Sequence, residues 1–404
     1  MMIKIAFRNI FRQKKRSLLT ILTMIGGFVL SAFSFGWSDG TYSNIIDLFT
    51  RTQLGHIQIH QEGYLDRPAL YKTINDYSSV GIHLDTIPGL VAWSPRIYSS
   101  GLVSVDEKST GARIIGIDPA REQIATRFEK KIIAGVPFSK EASYQAILGE
   151  GLAITLKAKI GDSIIIVSQG ADGSIANDIY EIIALTNSGD KMYDKTAMYL
   201  HLDDAAELLV MYNQIHEIVI IGEDLDSVEE LTNNIQGTLN NPELAVAPWQ
   251  EFAKAFYEAM KADQQGTWIL LFIIILIASI GVLNTVLMTV LERRREYGVL
   301  RALGTQPKQI IKLVISEVAV MAIISLLIGT LIALITNSTF SWELPESLGS
   351  ITYGGVEFKT MTSELNARSF IIPAITVFFS ALFVSILPAV KAARIAPAKA
   401  MRMH

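Results

Sequence analysis

The chain has 404 residues, half of them hydrophobic and 18% charged, with 35 Lys and Arg against 39 Asp and Glu and no cysteine. A net charge of -4 gives no bulk electrostatic case for nucleic acid, and the lack of cysteine excludes disulfides, thiol catalysis, cysteine-ligated zinc and a lipid-modified cysteine. The mean hydropathy of +0.35 is high for a soluble protein, and it averages very apolar windows with an ordinary polar middle.

Residues 1–16 read as a basic amphipathic helix. Ile3, Phe7, Ile10 and Phe11 share one face, and Arg8 and Arg12 stand with Lys4 and Lys15 on the other. Such a helix lies in a membrane interface with its bases toward anionic headgroups. Residues 17–37 are apolar for long enough to cross a bilayer as a first span. A signal peptide would share this pattern, but only Ala32 and Ser34 hint at a cleavage site, so an uncleaved span is the expectation. Residues 38–54 keep helical spacing through Tyr42, Ile45, Ile46 and Phe49 while gaining charge, which predicts a stalk leaving the membrane.

Residues 55–248 read as a soluble α+β domain. His56–His60 alternates as a strand, and Leu102–Val105, Arg113–Ile117 and Tyr180–Leu185 are further strand candidates. Ile147–Val167 reads as helix, Gly161-Asp162 turn, then strand. Ala197–Leu202 runs as a strand into a helix capped by Asp203. Glu217–Ile221 is a strand, Ser227 with Glu230 forms a capping box opening a helix to Leu239, and Leu244–Ala247 returns as a strand. This last part suggests a small sheet with helices on one face. Residues 249–267 repeat the stalk pattern through Trp249, Phe252, Phe256 and Met260.

Three more spans are expected at 268–291, 313–336 and 369–390, separated by segments 292–312 and 337–368 and followed by a tail, 391–404. Lys and Arg number six in 1–16, six in 291–312 (Arg293, Arg294, Arg295, Arg301, Lys308, Lys312) and four in 391–404, against two in 337–368. The positive-inside rule then puts both termini and the 292–312 elbow in the cytoplasm and the large domain outside. Residues 38–267 carry 17 basic and 32 acidic side chains, an acidic balance of 15. The expected architecture is an α-helical membrane protein with four transmembrane helices and a large extracytoplasmic α+β domain on helical stalks.

Few motifs suggest chemistry. Gly36-Trp37-Ser38-Asp39-Gly40 matches G-x-S-x-G, but a nucleophile elbow needs a strand-to-helix turn, and here the serine sits at the mouth of a membrane helix. His56 and His60 share a strand face with Gln58 and lack a carboxylate cluster for a metal. No G-x-x-x-x-G-K-[ST] loop occurs, so no P-loop binds ATP in this chain. Glu317, in the third span, is either a functional intramembrane acid or one that reaches interfacial water or pairs with Lys312 or Arg301. Ala278, Gly281 and Thr285 form a small-residue stripe beside Asn284, which suits close helix packing within or between chains.

The elbow holds the densest grammar. Gly304 suits a helix C-terminus, Thr305 can cap the next helix, and Pro307 fits its first turn. Leu300 and Leu303 give a short apolar ridge among charges. The expectation is a compact, charged bend able to dock in a groove of a cytoplasmic protein.

Glu292-Arg293-Arg294-Arg295-Glu296-Tyr297-Gly298-Val299-Leu300-Arg301-Ala302-Leu303-Gly304 resembles the signature of ABC-transporter permeases of the FtsX-like superfamily, which includes MacB, LolC and LolE. The opening, Arg8-Asn9-Ile10 through Arg16-Ser17-Leu18-Leu19-Thr20, and the close, Pro388-Ala389 through Arg394, Pro397 and Arg402, are similar to the same family. Gly55–His60, Leu148–Ala153 and Gly161-Asp162 point to its lipoprotein-releasing branch, while the elbow has the general MacB-like form. The resemblance implies a non-catalytic inner-membrane permease with no cofactor of its own, ATP and Mg being bound by a partner ATPase dimer. It assigns ATPase coupling to Glu292, Arg293, Arg294, Arg295, Glu296, Gly298, Leu300, Arg301, Leu303, Gly304, Pro307 and Gln309. It also implies a second permease chain, identical or paralogous, and a periplasmic carrier, adaptor or hydrolase. The substrate would be a lipoprotein or another hydrophobic molecule handled at the outer face. The alternative is an FtsX-like signal transmitter that regulates an extracytoplasmic enzyme without transport.

Overall fold

The computed structural model describes residue 9 and residues 14–343, 345, 351–353, 356–358 and 360–396. The interfacial set Ile3, Phe7, Arg8, Ile10, Phe11 and Arg12 lies outside the described residues. Two compact units emerge, one of residues 1–43, 260–344 and 360–404, the other of residues 44–259 and 345–359. The helices, in chain order, are α1 (Lys14–Phe49), α2 (Tyr77–Leu84), α3 (Pro119–Thr126), α4 (Glu150–Leu156), α5 (Lys191–Asp194), α6 (Leu202–Leu209), α7 (Val228–Leu239), α8 (Trp249–Phe252), α9 (Lys254–Glu292), α10 (Arg294–Ala302), α11 (Pro307–Thr339) and α12 (Ala367–Ala393).

The strands of the large unit are β1 (Ile57–Gln61), β2 (Ile74–Asn75), β3 (Leu90–Val105), β4 (Lys108–Ile117), β5 (Ile132–Gly135), β6 (Gln145–Gly149), β7 (Ser163–Gln169), β8 (Ile175–Thr186), β9 (Ala197–His201), β10 (Gln214–Ile215), β11 (Glu217–Gly222) and β12 (Leu244–Pro248). Ten of them form a mixed sheet in the order β12-β1-β11-β3-β4-β9-β6-β8-β5, with β7 bonded to both β3 and β8, while β2 and β10 pair separately. Only β4/β9 and β6/β8 run parallel. The pairings close on themselves, from β3 through β4, β9, β6, β8 and β7 back to β3. Closure leaves these strands few free edges. Ile115, Ile117, Phe128, Ile147, Ala184 and Tyr199 belong to one core cluster.

Several local expectations need correction. Ile147–Gly149 is the end of β6, buried and paired with β8, so only Glu150–Leu156 is helical. His201, not Asp203, caps α6, its Nδ1 accepting from the Asp203 amide at 3.3 Å. Ser227 sits at the N-cap of α7, but its hydroxyl donates to the Asp224 carbonyl at 3.0 Å, so no capping box closes. The second stalk is not one helix, because Ala253 leaves helical geometry between α8 and α9.

In the membrane unit, α1, α9, α11 and α12 are long and apolar enough to cross a membrane. One buried cluster joins them through Met24 and Phe28 of α1, Val282 and Val286 of α9, Val314 and Val318 of α11, and Val377 and Ala381 of α12. The small-residue stripe proves intrachain. A Cβ on Gly281 would lie 2.8 Å from Thr23, and one on Gly27 would lie 3.0 Å from Ala278. Lack of side chains at these points lets α1 and α9 approach closely. Segment 337–368 contains a ladder of β13 (Ser341–Glu343) with β16 (Thr360–Thr362), and another of β14 (Ile351–Tyr353) with β15 (Val356–Phe358).

Candidate functional site

Glu292 ends α9, and Arg293 breaks the helix at φ -87° and ψ 12° before α10 begins. The break turns the Arg293 side chain inward, where it is 9% exposed. Its Nη1 donates to both oxygens of Glu317 at 3.0 and 2.9 Å, and its Nε donates to Glu296 at 2.8 Å. The guanidinium lies 5.2 Å from the centroid of the Tyr297 ring, itself fully buried. Asn9 adds a 2.6 Å hydrogen bond to Glu317. The buried carboxylate therefore has the ionic partner and extra donor that burial requires. Neither Arg301 nor Lys312 is that partner: Arg301 donates to the Thr305 carbonyl at 3.3 Å, and Lys312 is exposed. A cavity of about 30 Å³ adjoins the pair, lined by Asn9, Thr20, Arg293, Tyr297 and Glu317 among others.

The other end of α10 is closed by backbone. Gly304 adopts φ +95°, its amide bonds to Arg301 O at 3.2 Å, and the Thr305 amide bonds to Leu300 O at 3.0 Å. This two-bond pattern around a left-handed residue is a Schellman motif, which glycine enters without steric cost. Thr305 is consumed by it, so the N-cap of α11 falls on Gln306. There Gln306 and Gln309 form a reciprocal capping box, with Pro307 in the first turn. Glu292 pairs with Arg16 of α1.

The coupling candidates thus separate by environment. Arg293 and Gly298 are buried, Glu296 and Arg301 are half-buried, and Leu300 packs against the membrane core. Glu292, Arg294, Arg295, Gly304, Pro307 and Gln309 are exposed. The exposed apolar pair is Val299 with Leu303, 43% and 78% exposed, in place of the expected Leu300–Leu303 ridge. One turn of helix separates Val299 from Leu303, so they share a face, while Leu300 is partly buried against the membrane core. Sequence reading missed the Arg293–Glu317 pair and Tyr297. The usable signal was that a lone acid in a span demands a base from the adjoining bend.

The remaining motifs are structural. Ser38 is in the body of α1 and bonds to the Thr267 hydroxyl at 3.1 Å, while Asp39 accepts from Asn366 at 2.9 Å. His60 bonds to Gln58 at 3.0 Å and stacks on Tyr64. Burial pushes His56 and His216 down to about 4 and also lowers His60. Among the described residues no group of His, Cys, Asp and Glu is arranged to hold a metal. Arg96, fully buried on β3, joins Glu122 to Glu217. Burial works against the Glu122 carboxylate, yet Arg96 holds it down at about 2. An open cleft of about 910 Å³ in the large unit is lined by Tyr64, Leu70, Tyr98, Arg113, Gln169 and His216 among others. In the membrane unit an apolar groove of about 510 Å³ runs between α1 and the end of α11, past Gly26, Val29, Leu30, Phe33, Thr336 and Phe340.

Comparison with known proteins agrees with this layout. Residues 17–238 match the family described as MacB-like periplasmic core domain, and residues 268–397 match that described as FtsX-like permease C-terminal. The chain is 22% identical over 305 residues to the lipoprotein-releasing system transmembrane protein LolC of Neisseria meningitidis, covering 73% of this chain and 70% of the relative. It is 24% identical over 377 residues to an uncharacterized ABC transporter permease of Methanocaldococcus jannaschii, covering 85% and 89%. It is 23% identical over 349 residues to LolE of Haemophilus influenzae, covering 82% of each. The periplasmic region of MacB from Actinobacillus actinomycetemcomitans aligns with a TM-score of 0.39 and 15% identity, over 52% of this chain and 97% of that one. Since the first family match spans more than half of the chain, the protein belongs to the ABC transporter permeases built from a MacB-like periplasmic core domain and an FtsX-like permease C-terminal.

Proposed function

We propose that the chain is the inner-membrane permease subunit through which a separate ATPase dimer drives extraction or export of a lipoprotein or another hydrophobic substrate at the outer face. The termini and elbow are cytoplasmic, the large domain is periplasmic, and ATP and Mg bind to the partner. The observation that carries this reading is the anchoring of α10. Arg293 ties its first turn to Glu317 of α11, and the Schellman turn fixes its last turn. Leu303 is exposed on this elbow, as are Arg294, Arg295 and Lys308. A push on this knob is carried into α9 and α11, because α10 has no slack at either end. The apolar groove between α1 and α11 supports a hydrophobic substrate, and the LolC and LolE relatives support a lipoprotein. The test is ATP hydrolysis by the permease co-purified with its ATPase. Leu303→Glu places a charge on an exposed site, so the fold survives while coupling is expected to drop at least tenfold, about 1.4 kcal/mol or more of lost docking. Wild-type hydrolysis and substrate release in that variant would remove the coupling role.

A further inference from the structure

We propose that the open cleft of the large unit is a carboxylate-binding site, in which the Arg113 guanidinium and the Tyr64 hydroxyl hold the charged end of an extended ligand. The inference concerns the large unit alone and does not depend on the permease reading. Residues 38–267 carry 17 basic and 32 acidic side chains, so the domain as a whole repels anions and an unpaired cation on it is informative. The cleft, about 910 Å³, has the size of a small-ligand site. Among the described residues that line it, Arg113 of β4 is the only arginine or lysine and none is acidic. None of the described residues forms an ion pair with Arg113, whose exposed guanidinium lies 5.3 Å from the centroid of the Tyr193 ring. The Tyr64 side chain is 9% exposed and stacks on His60 at 4.9 Å, yet its hydroxyl has no hydrogen-bond partner among the described residues. Burial raises the Tyr64 phenol, with Glu217 adding to the rise and the Arg113 charge opposing it, so the hydroxyl is a proton donor at neutral pH.

The neighbouring polar groups are already spent. His216 accepts from the Tyr98 amide through Nδ1 at 3.0 Å, which leaves the proton on Nε2 to be donated to Leu70 O at 3.1 Å. Its ring is therefore neutral, with both nitrogens used. Glu217 is tied to Arg96 at 3.4 Å and accepts from the Tyr98 hydroxyl at 2.9 Å. One free cation with a hydroxyl donor in the same cleft matches a single negative charge. The planar guanidinium fork suits a carboxylate, to which it donates two parallel bonds, whereas a doubly charged phosphate would keep one charge uncompensated. The body of the ligand has a track beside it. β3 pairs with β11 as far as Arg96 and with β7 from Leu102 onward, so Tyr98–Gly101 line the cleft with β4 on one side only. An extended chain can lie along this interrupted edge in the manner of an added strand.

The test uses the full chain in lipid nanodiscs, irradiated with tetra-alanine that carries an N-terminal benzoylbenzoyl group and a free C-terminal carboxylate. Mass spectrometry is expected to place the label in the segments 64–70 or 98–101, and the C-terminal amide of the same probe should label them about tenfold less. Arg113→Met, a change at an exposed position, should bring the carboxylate probe down to the level of the amide, with Arg113→Lys recovering part of the loss. Tyr64→Phe keeps the ring on His60 and should weaken labelling about threefold. Suppression by excess sodium acetate would show that a free carboxylate suffices, and suppression by unlabelled tetra-alanine alone would assign the site to a peptide end. Equal labelling by acid and amide, undiminished labelling of Arg113→Met, or labelling that neither competitor suppresses overturns the proposal. The readout needs no ATPase, so it stands or falls apart from elbow coupling.

Discussion

Removing one member of the Arg293–Glu317 pair should cost more than removing both. In Glu317→Leu the Arg293 guanidinium stays buried and retains only Glu296, whose own side chain is 40% exposed. Breaking a buried pair from one side costs about 3–5 kcal/mol, and the surviving Glu296 contact puts this variant near the lower end. Arg293→Met is the harsher change, because among the described residues Glu317 then keeps only the Asn9 amide, and it belongs near the upper end. In Arg293→Met/Glu317→Leu no charge is left buried, and the volumes remain similar. The double variant should return to within about 1 kcal/mol of the parent, a coupling of at least about 3 kcal/mol in the cycle. The assay is denaturant titration of the full chain in mixed micelles, followed by tryptophan fluorescence. Additive losses, with the double variant as unstable as the sum of the singles, would refute the claim that these two side chains hold α10 to α11.

Three further outcomes are expected. Gly304 has φ +95° with open space around an added Cβ, so Gly304→Ala should destabilise through backbone strain alone, by about 1 kcal/mol, and Gly304→Asn by less; equal stability of all three in the same titration would contradict the Schellman assignment. Gly329→Ala would set a Cβ 2.7 Å from the Phe28 ring, and overpacking there should cost about 1–3 kcal/mol, read as a lowered unfolding midpoint. His56 and His216 are held neutral by burial at about 4, below their ordinary 6.5. The unfolded chain therefore takes up protons first as pH falls. Stability is full above pH 6.5 and is lost progressively down to pH 4, by about 3 kcal/mol per histidine. A pH-independent melting midpoint of the large unit across that window, followed in the full chain, would oppose this.

The membrane half was legible because hydropathy and charge act over whole segments. A bilayer demands about twenty apolar residues per span, and α1, α9, α11 and α12 satisfy that demand wherever their neighbours lie. Gly304 and Pro307 were legible for a related reason, since left-handed backbone and a missing amide proton are local properties. Exact caps were not. Thr305, Ser227 and Asp203 all have the right side chains, yet Thr305 was taken by the Schellman turn, Ser227 by the Asp224 carbonyl and Asp203 by a cap from His201. The partner of Glu317 was missed because sequence proximity favours Lys312, whereas the antiparallel return of α11 brings Arg293 alongside. The closed ladder of the large domain depends on β7 reaching β3 across more than sixty residues, a pairing that no local pattern encodes.

Docking of the elbow is most directly measured by placing a photoreactive benzophenone side chain at position 303 of the full chain, co-expressed with the ATPase proposed as its partner. Irradiation is expected to join the permease to that ATPase, and the same probe at Leu300, turned into the membrane core, should give no such product. Efficient cross-linking from position 300, or none from position 303 in a complex that still hydrolyses ATP, would contradict the assignment of α10 as the surface that receives the ATPase.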